Sequence, residues 1–122
     1  LPCIINMANY PYLSTGFCAA GTDRAYYTIG ADGRMRPCNH TTTVLGNFLT
    51  EKFEDMINKP VMKEFVKAIP PICEPCPMAR ECQGGCKATA EVCYGSPREM
   101  DPFLKKNLHR HPAYSGDYSG EI

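Results

Sequence analysis

Apolar positions along this chain fall into short, separate stretches, and each stretch has its own period. Leu1-Pro2-Cys3-Ile4-Ile5 is an apolar opening, followed to residue 17 by a Pro- and Tyr-containing loop. Ala25-Tyr26-Tyr27-Thr28-Ile29 and Arg34-Met35-Arg36 flank the turn Ala31-Asp32-Gly33, the pattern of a β-hairpin built on an Asp-Gly turn. After the polar loop Asn39 to Thr43, the period changes to that of a helix. Thr50 is the expected N-cap of a helix from Glu51 to Asn58, with Phe53, Met56 and Ile57 on one face. Pro60 opens a second helix, with Val61, Phe65, Val66 and Ile69 facing inward and Pro70-Pro71 ending it. Cys86 to Tyr94 has helical composition and is closed by Gly95. Periodicity stops after Leu104. The pattern therefore predicts an α+β domain over 1–104 with a β-hairpin, short helices and irregular Cys-bearing loops, and a polar tail over 105–122.

Composition shows what these elements lack. Leu, Ile, Val and Phe together make up less than about a fifth of the chain. High net charge would make that a signature of disorder, but 13 basic residues balance 13 acidic ones. The eight cysteines are the substitute for the missing core. No Lys/Arg run is interleaved with aromatics, so no nucleic-acid partner is expected. No apolar run reaches the length of a membrane span, so no membrane partner is expected either. The chain starts at Leu1, which suggests a piece of something longer. No signal-peptide pattern opens it, and a cytoplasmic location is the expectation.

Four of the cysteines lie in the stretch Cys73-x2-Cys76-x5-Cys82-x3-Cys86, and a fifth, Cys93, lies seven residues beyond it. Two thiolates separated by two residues can turn from one loop onto a single metal centre, so this is a chelating pattern. Pro75 and Pro77 keep Cys76 out of a regular helix, and Gly84-Gly85 lets the backbone approach a bulky inorganic group. Cys86 and Cys93 share a helix face two turns apart, about 10.5 Å along the axis. That is awkward for one cluster and natural for two. The hairpin would bring Cys18 and Cys38 toward the same end, and parity draws in Cys3 as the eighth thiol. Three readings follow from spacing alone: two four-thiolate iron–sulfur clusters, structural zinc, or a secreted disulfide scaffold. His40, His109 and His111 are read as solvated or hydrogen-bonding side chains rather than ligands. Asp32, Arg34, Arg36 and Asp101 are read as turn or surface residues, with positioning of a cluster or substrate as the alternative.

The spacing Cys18-x14-Gly33-x4-Cys38, together with Cys73-x2-Cys76-x5-Cys82-x3-Cys86, resembles the SPASM domain. This is the auxiliary-cluster module of many radical S-adenosylmethionine enzymes that modify peptides or proteins. Gly46-Asn47, Gln83-Gly84-Gly85-Cys86 and Asp101-Pro102 add to the likeness, which spans roughly residues 18 to 104. The resemblance implies two auxiliary [4Fe-4S] clusters. One would be held by Cys18, Cys38 and Cys86 with an upstream cysteine, here Cys3. The other would be held by Cys73, Cys76 and Cys82 with a downstream cysteine. The family usually places that last cysteine just after Asp-Pro, where this chain has Leu104, and Cys93 is expected to replace it. The long gap between Cys3 and Cys18 leaves two alternatives for the first cluster, full thiolate ligation or an open iron.

The radical-initiating motif C-x3-C-x2-C does not occur, because Cys82-x3-Cys86 is followed three residues later by Thr89. S-adenosylmethionine would therefore bind in a separate catalytic domain, in cis or in trans, and this chain would not be catalytic alone. The resemblance implies electron transfer, or substrate binding at an incompletely ligated cluster, with a peptide or protein as substrate. The competing reading is a zinc-stabilised binding module without redox activity.

Overall fold

The computed structural model describes residues 1–13 and 16–112. Its centre is a small antiparallel sheet of β1 (Thr28–Ile29), β2 (Arg34–Arg36) and β3 (Gly46–Asn47) in that order. The register pairs Thr28 with Arg36 and Ile29 with Met35, then Arg34 with Asn47 and Met35 with Gly46. Gly33 takes φ +87°, as the Asp-Gly turn requires. Asp32 closes the turn by accepting the Arg34 N–H at 3.1 Å and pairing with its guanidinium. The hairpin is thus present, and the fold class is α+β as its pattern predicts. The third strand is additional, and it is too short for any alternation to register.

Among the described residues five short α-helices follow: α1 (Phe53–Ile57), α2 (Pro60–Lys67), α3 (Ala79–Cys82), α4 (Lys87–Tyr94) and α5 (Pro102–Lys106). Helix α1 starts later than its pattern predicts, and Thr50 does not cap it. The Glu51 carboxylate accepts the Asn47 N–H at 3.0 Å and pairs with Lys59, which holds residue 51 against β3 instead of in a first helical turn. Lys59 also donates to the Leu45 carbonyl at 2.9 Å. Met56 is buried with Phe53 and Ile57 against the same core, as expected. In α2 the buried residues are Met62 and Phe65, while Val61 faces out. Met62, Phe65 and Val66 form the inward stripe and Val61 lies about 90° from its centre, whereas Ile69, expected on the same face, falls past the end of α2 and packs on a different core.

The apolar residues gather into two small cores. One joins Met35 and Leu45 of the sheet region to Met56 and Met62 of α1 and α2, with Tyr27 and Phe53 meeting edge-to-face at 5.1 Å. The other packs the N-terminal turn, through Ile4, against Cys73 and Leu104, with Cys3 at its margin. Leu108 packs on this second core, and His111 is buried, so ordered structure continues past residue 104. Residues 113–122 of the expected tail lie outside the described residues.

A single carboxylate ties the post-hairpin loop to α4. Glu91 accepts from the Thr41 hydroxyl at 2.8 Å, the Thr42 N–H at 2.8 Å, the Thr42 hydroxyl at 2.7 Å and the Thr43 hydroxyl. Burial pushes its carboxyl up, but these donors outweigh burial and hold it below the ordinary value. A depressed carboxyl contributes stability above its unfolded pKa, and that contribution is lost as pH falls through the folded one. Glu91→Ala leaves the fully buried Thr41 hydroxyl without its acceptor and should cost about 1–3 kcal/mol, read by thermal unfolding at pH 7. The melting temperatures of the parent and Glu91→Gln should converge as pH drops below about 4.3.

Candidate metal centre

Loop geometry rather than regular structure presents the cysteines. Cys73 ends a 3-10 turn, Pro71–Cys73, that Pro70-Pro71 forces after α2. Cys82 ends α3, and Gln83, Gly84 and Gly85 then take φ of +60°, +77° and +94°. A Cβ at Gly84 would lie 2.7 Å from Pro70 Cδ, and one at Gly85 would lie 2.9 Å from Asp101 Cβ. The glycine pair is therefore demanded by a left-handed backbone and by close packing on protein atoms, and Gly85 also lines the cleft beside Cys86. The turn delivers Cys86 to the N-cap of α4, where its N–H donates to Asp101 at 2.8 Å. Asp101 caps α5 with its other oxygen, accepting the Phe103 N–H at 2.8 Å. Of the two roles the sequence offered for Asp101, turn or surface residue and positioning residue, the second fits its hold on Cys86.

All eight cysteines carry free thiols. Cys18, Cys38 and Cys86 line one cleft of about 500 Å³, which Phe17, Tyr26 and Phe103 also line. Buried Cys82 forms part of its wall. The hairpin does bring Cys18 and Cys38 to one place, and the turn at 83–85 adds Cys86. The second group is Cys73, Cys76 and Cys82, and the thiol that joins them is Cys3. Cys3 and Cys73 pack on the same small core, and the thiols whose charge acts on Cys3 are those of Cys82 and Cys76. Cys93 stands exposed near the end of α4 beside Tyr94, and is not among the thiols that act on Cys73. His40 and His109 are exposed.

Among the described residues, no three His, Cys, Asp or Glu side chains converge closely enough to hold a single metal ion. The donor set suits a larger, soft, multi-iron group, because both collections consist of thiols.

Lys87 was not singled out by sequence reasoning. Its side chain is buried, and its ammonium donates to the Ala68 carbonyl at 2.5 Å and the Gln83 carbonyl at 3.5 Å. Burial pushes its pKa down, while the thiols of Cys18, Cys73 and Cys82 act the other way, so this cation feels both cysteine groups. The available signal was position: Lys87 precedes Ala90 by three residues and therefore shares the buried face of α4.

Burial, and then the neighbouring thiols of Cys3, Cys82 and Cys76, push Cys73 up to about 11, with Lys87 opposing them. A raised pKa favours the protonated thiol, so the metal-free fold keeps this contribution at lower pH and loses it as pH rises from the ordinary thiol value toward about 11. Metal binding must expel that proton. Reconstitution with iron and sulfide should therefore become more complete as pH rises from 6.5 to 8.5, measured as bound iron per chain. Lys87→Met should show lower loading than the parent at each pH.

A family model of an iron–sulfur cluster-binding domain, SPASM, matches residues 18–83. No curated protein and no solved structure matches the chain. The match covers more than half of the sequence and includes Cys18, Cys38, Cys73, Cys76 and Cys82. With thiols gathered into two groups around a buried ammonium, the chain belongs to the SPASM family of iron–sulfur cluster-binding domains.

Proposed function

We propose that this domain holds two [4Fe-4S] clusters, one at each cysteine group, and serves as the electron-handling module of a radical S-adenosylmethionine enzyme that modifies a peptide or protein. The observation that carries this reading is the gathering of thiols into two groups, one lining an open cleft and the other half-buried, around Lys87. When bound, thiolate-held clusters supply one-electron transfer at potentials set by charge, hydrogen bonding and burial.

The chain's own residues prepare both places. Asp101 fixes Cys86 at the cleft, and Lys87 supplies positive charge next to thiolates that must all ionise to bind iron. Phe17, Tyr26 and Phe103 give the cleft apolar walls against which a peptide side chain can rest. The missing C-x3-C-x2-C motif supports placing S-adenosylmethionine cleavage in a partner catalytic domain, in cis or in trans. A reducing, cytoplasmic setting keeps the eight thiols available. Among the described residues, no helix is long and apolar enough to cross a membrane.

Anaerobically prepared and reconstituted protein should be brown and contain about eight irons and eight sulfides per chain. Cys86→Ala and the pair Cys73→Ala/Cys76→Ala should each halve that content. One or two zincs with no sulfide would sink the redox reading and leave a structural metal module.

A further inference from the structure

We infer that Cys3 is the fourth ligand of the Cys73, Cys76 and Cys82 group, reaching it from the N-terminal side and replacing the cysteine that SPASM domains usually carry just after Asp-Pro. The inference rests on the two-cluster reading above and assigns its ligands differently from the family pattern, which would give an upstream cysteine to the cleft group.

The argument begins at Leu104. It follows Asp101-Pro102, is fully buried, and packs with Cys73 and Ile4 in one cluster, with Cys3, Ile72 and Met100 around it. A leucine cannot ligate iron, but it can fill the space that a shorter side chain would leave, and it gives the N-terminal turn an apolar seat. That turn is closed by the Ile4 and Ile5 N–H groups, both donating to the Leu1 carbonyl at 3.1 Å. Leu1 is anchored in its turn, since its Cδ2 lies 3.1 Å from where a Cβ on Gly85 would stand. With Leu1 against the 83–85 turn and Ile4 against Leu104, Cys3 is held between them beside Cys73. Cys76 closes the next turn by donating its N–H to the Cys73 carbonyl at 3.0 Å, and the Cys82 carbonyl accepts the Gly85 N–H at 3.3 Å in the turn against which Leu1 rests, so the segment carrying Cys3 lies along the side of this group.

Cys93, expected from the family resemblance in this role, is exposed on α4, whereas Cys73 and Cys82 are 6% and 7% exposed. A ligand there would have to leave the helix or draw the half-buried group to the surface. With Cys3 used at the half-buried group, the cleft retains Cys18, Cys38 and Cys86 as its thiols.

The test crosses Cys3→Ala into two backgrounds and reads iron, sulfide and the electron paramagnetic resonance spectrum of the dithionite-reduced protein. In Cys86→Ala, which should retain only the half-buried group with about four irons, Cys3→Ala should remove between one and four of them. In Cys73→Ala/Cys76→Ala, which should retain only the cleft group, Cys3→Ala should change neither iron content nor spectrum. Adding Leu104→Cys to Cys3→Ala/Cys86→Ala should restore the lost iron, as expected of a ligand and not of a side chain that merely props the fold. Cys93→Ala should leave the iron of the otherwise intact chain unchanged. Loss only in the second background, loss in both, loss in neither, or failure of Leu104→Cys to restore iron would each overturn the assignment. A parent chain that binds no iron and sulfide would instead refute the two-cluster reading itself.

Discussion

An ammonium group taken out of water is costly unless its surroundings supply acceptors and negative charge, and Lys87 has both. The Ala68 carbonyl at the end of α2 and the Gln83 carbonyl in the left-handed turn receive its hydrogens, and thiols from both cysteine groups lie within its field. Meeting that requirement brings α2, the 83–85 turn, α4 and the cysteines to one place. Neither apolar core could do this, because one lies under the sheet and the other under the N-terminal turn. The domain is thus two small cores joined by polar and thiol chemistry, a construction suited to a chain with few aliphatic side chains.

Around that junction a few carboxylates carry most of the long-range polar connections. Glu91 reaches back across roughly fifty residues to three consecutive threonines, and Asp101 holds Cys86 while capping α5. Glu51 and Lys59 lock β3 to the start of α2. Each is polar chemistry replacing area that a larger core would have buried. Each acts close to an element that leads into a cysteine, so holding the fold together and placing the thiols are largely one task.

The hairpin was legible because Asp-Gly between β-rich flanks encodes its own turn, and the Phe53, Met56 and Ile57 face was legible because it is local. The cysteines of the chelating stretch announced themselves through spacing. What sequence could not supply was partnership over distance. Thr50 looks like a cap until Glu51 is seen to be engaged elsewhere, and Val61 looks inward until α2 is rotated by Met62. Lys87 reads as a surface charge unless the helix face is known. Cys3 and Cys93 could not be sorted between the groups by spacing, since one lies far from every other cysteine in sequence and the other sits on a helix whose burial only the packing decides.

The four-residue link from Cys82 to Cys86 also acts as a ruler. A chain of that length cannot separate two α-carbons by more than about 14 Å. At an effective dielectric of about 20, a unit charge at that distance is worth on the order of 1 kcal/mol. Negative charge gathered at one cysteine group therefore opposes charging of the other. The shared cation at Lys87 lessens that penalty without abolishing it. Two cysteine groups drawn from separate stretches of sequence are thus obliged by the covalent chain to respond to each other's charge.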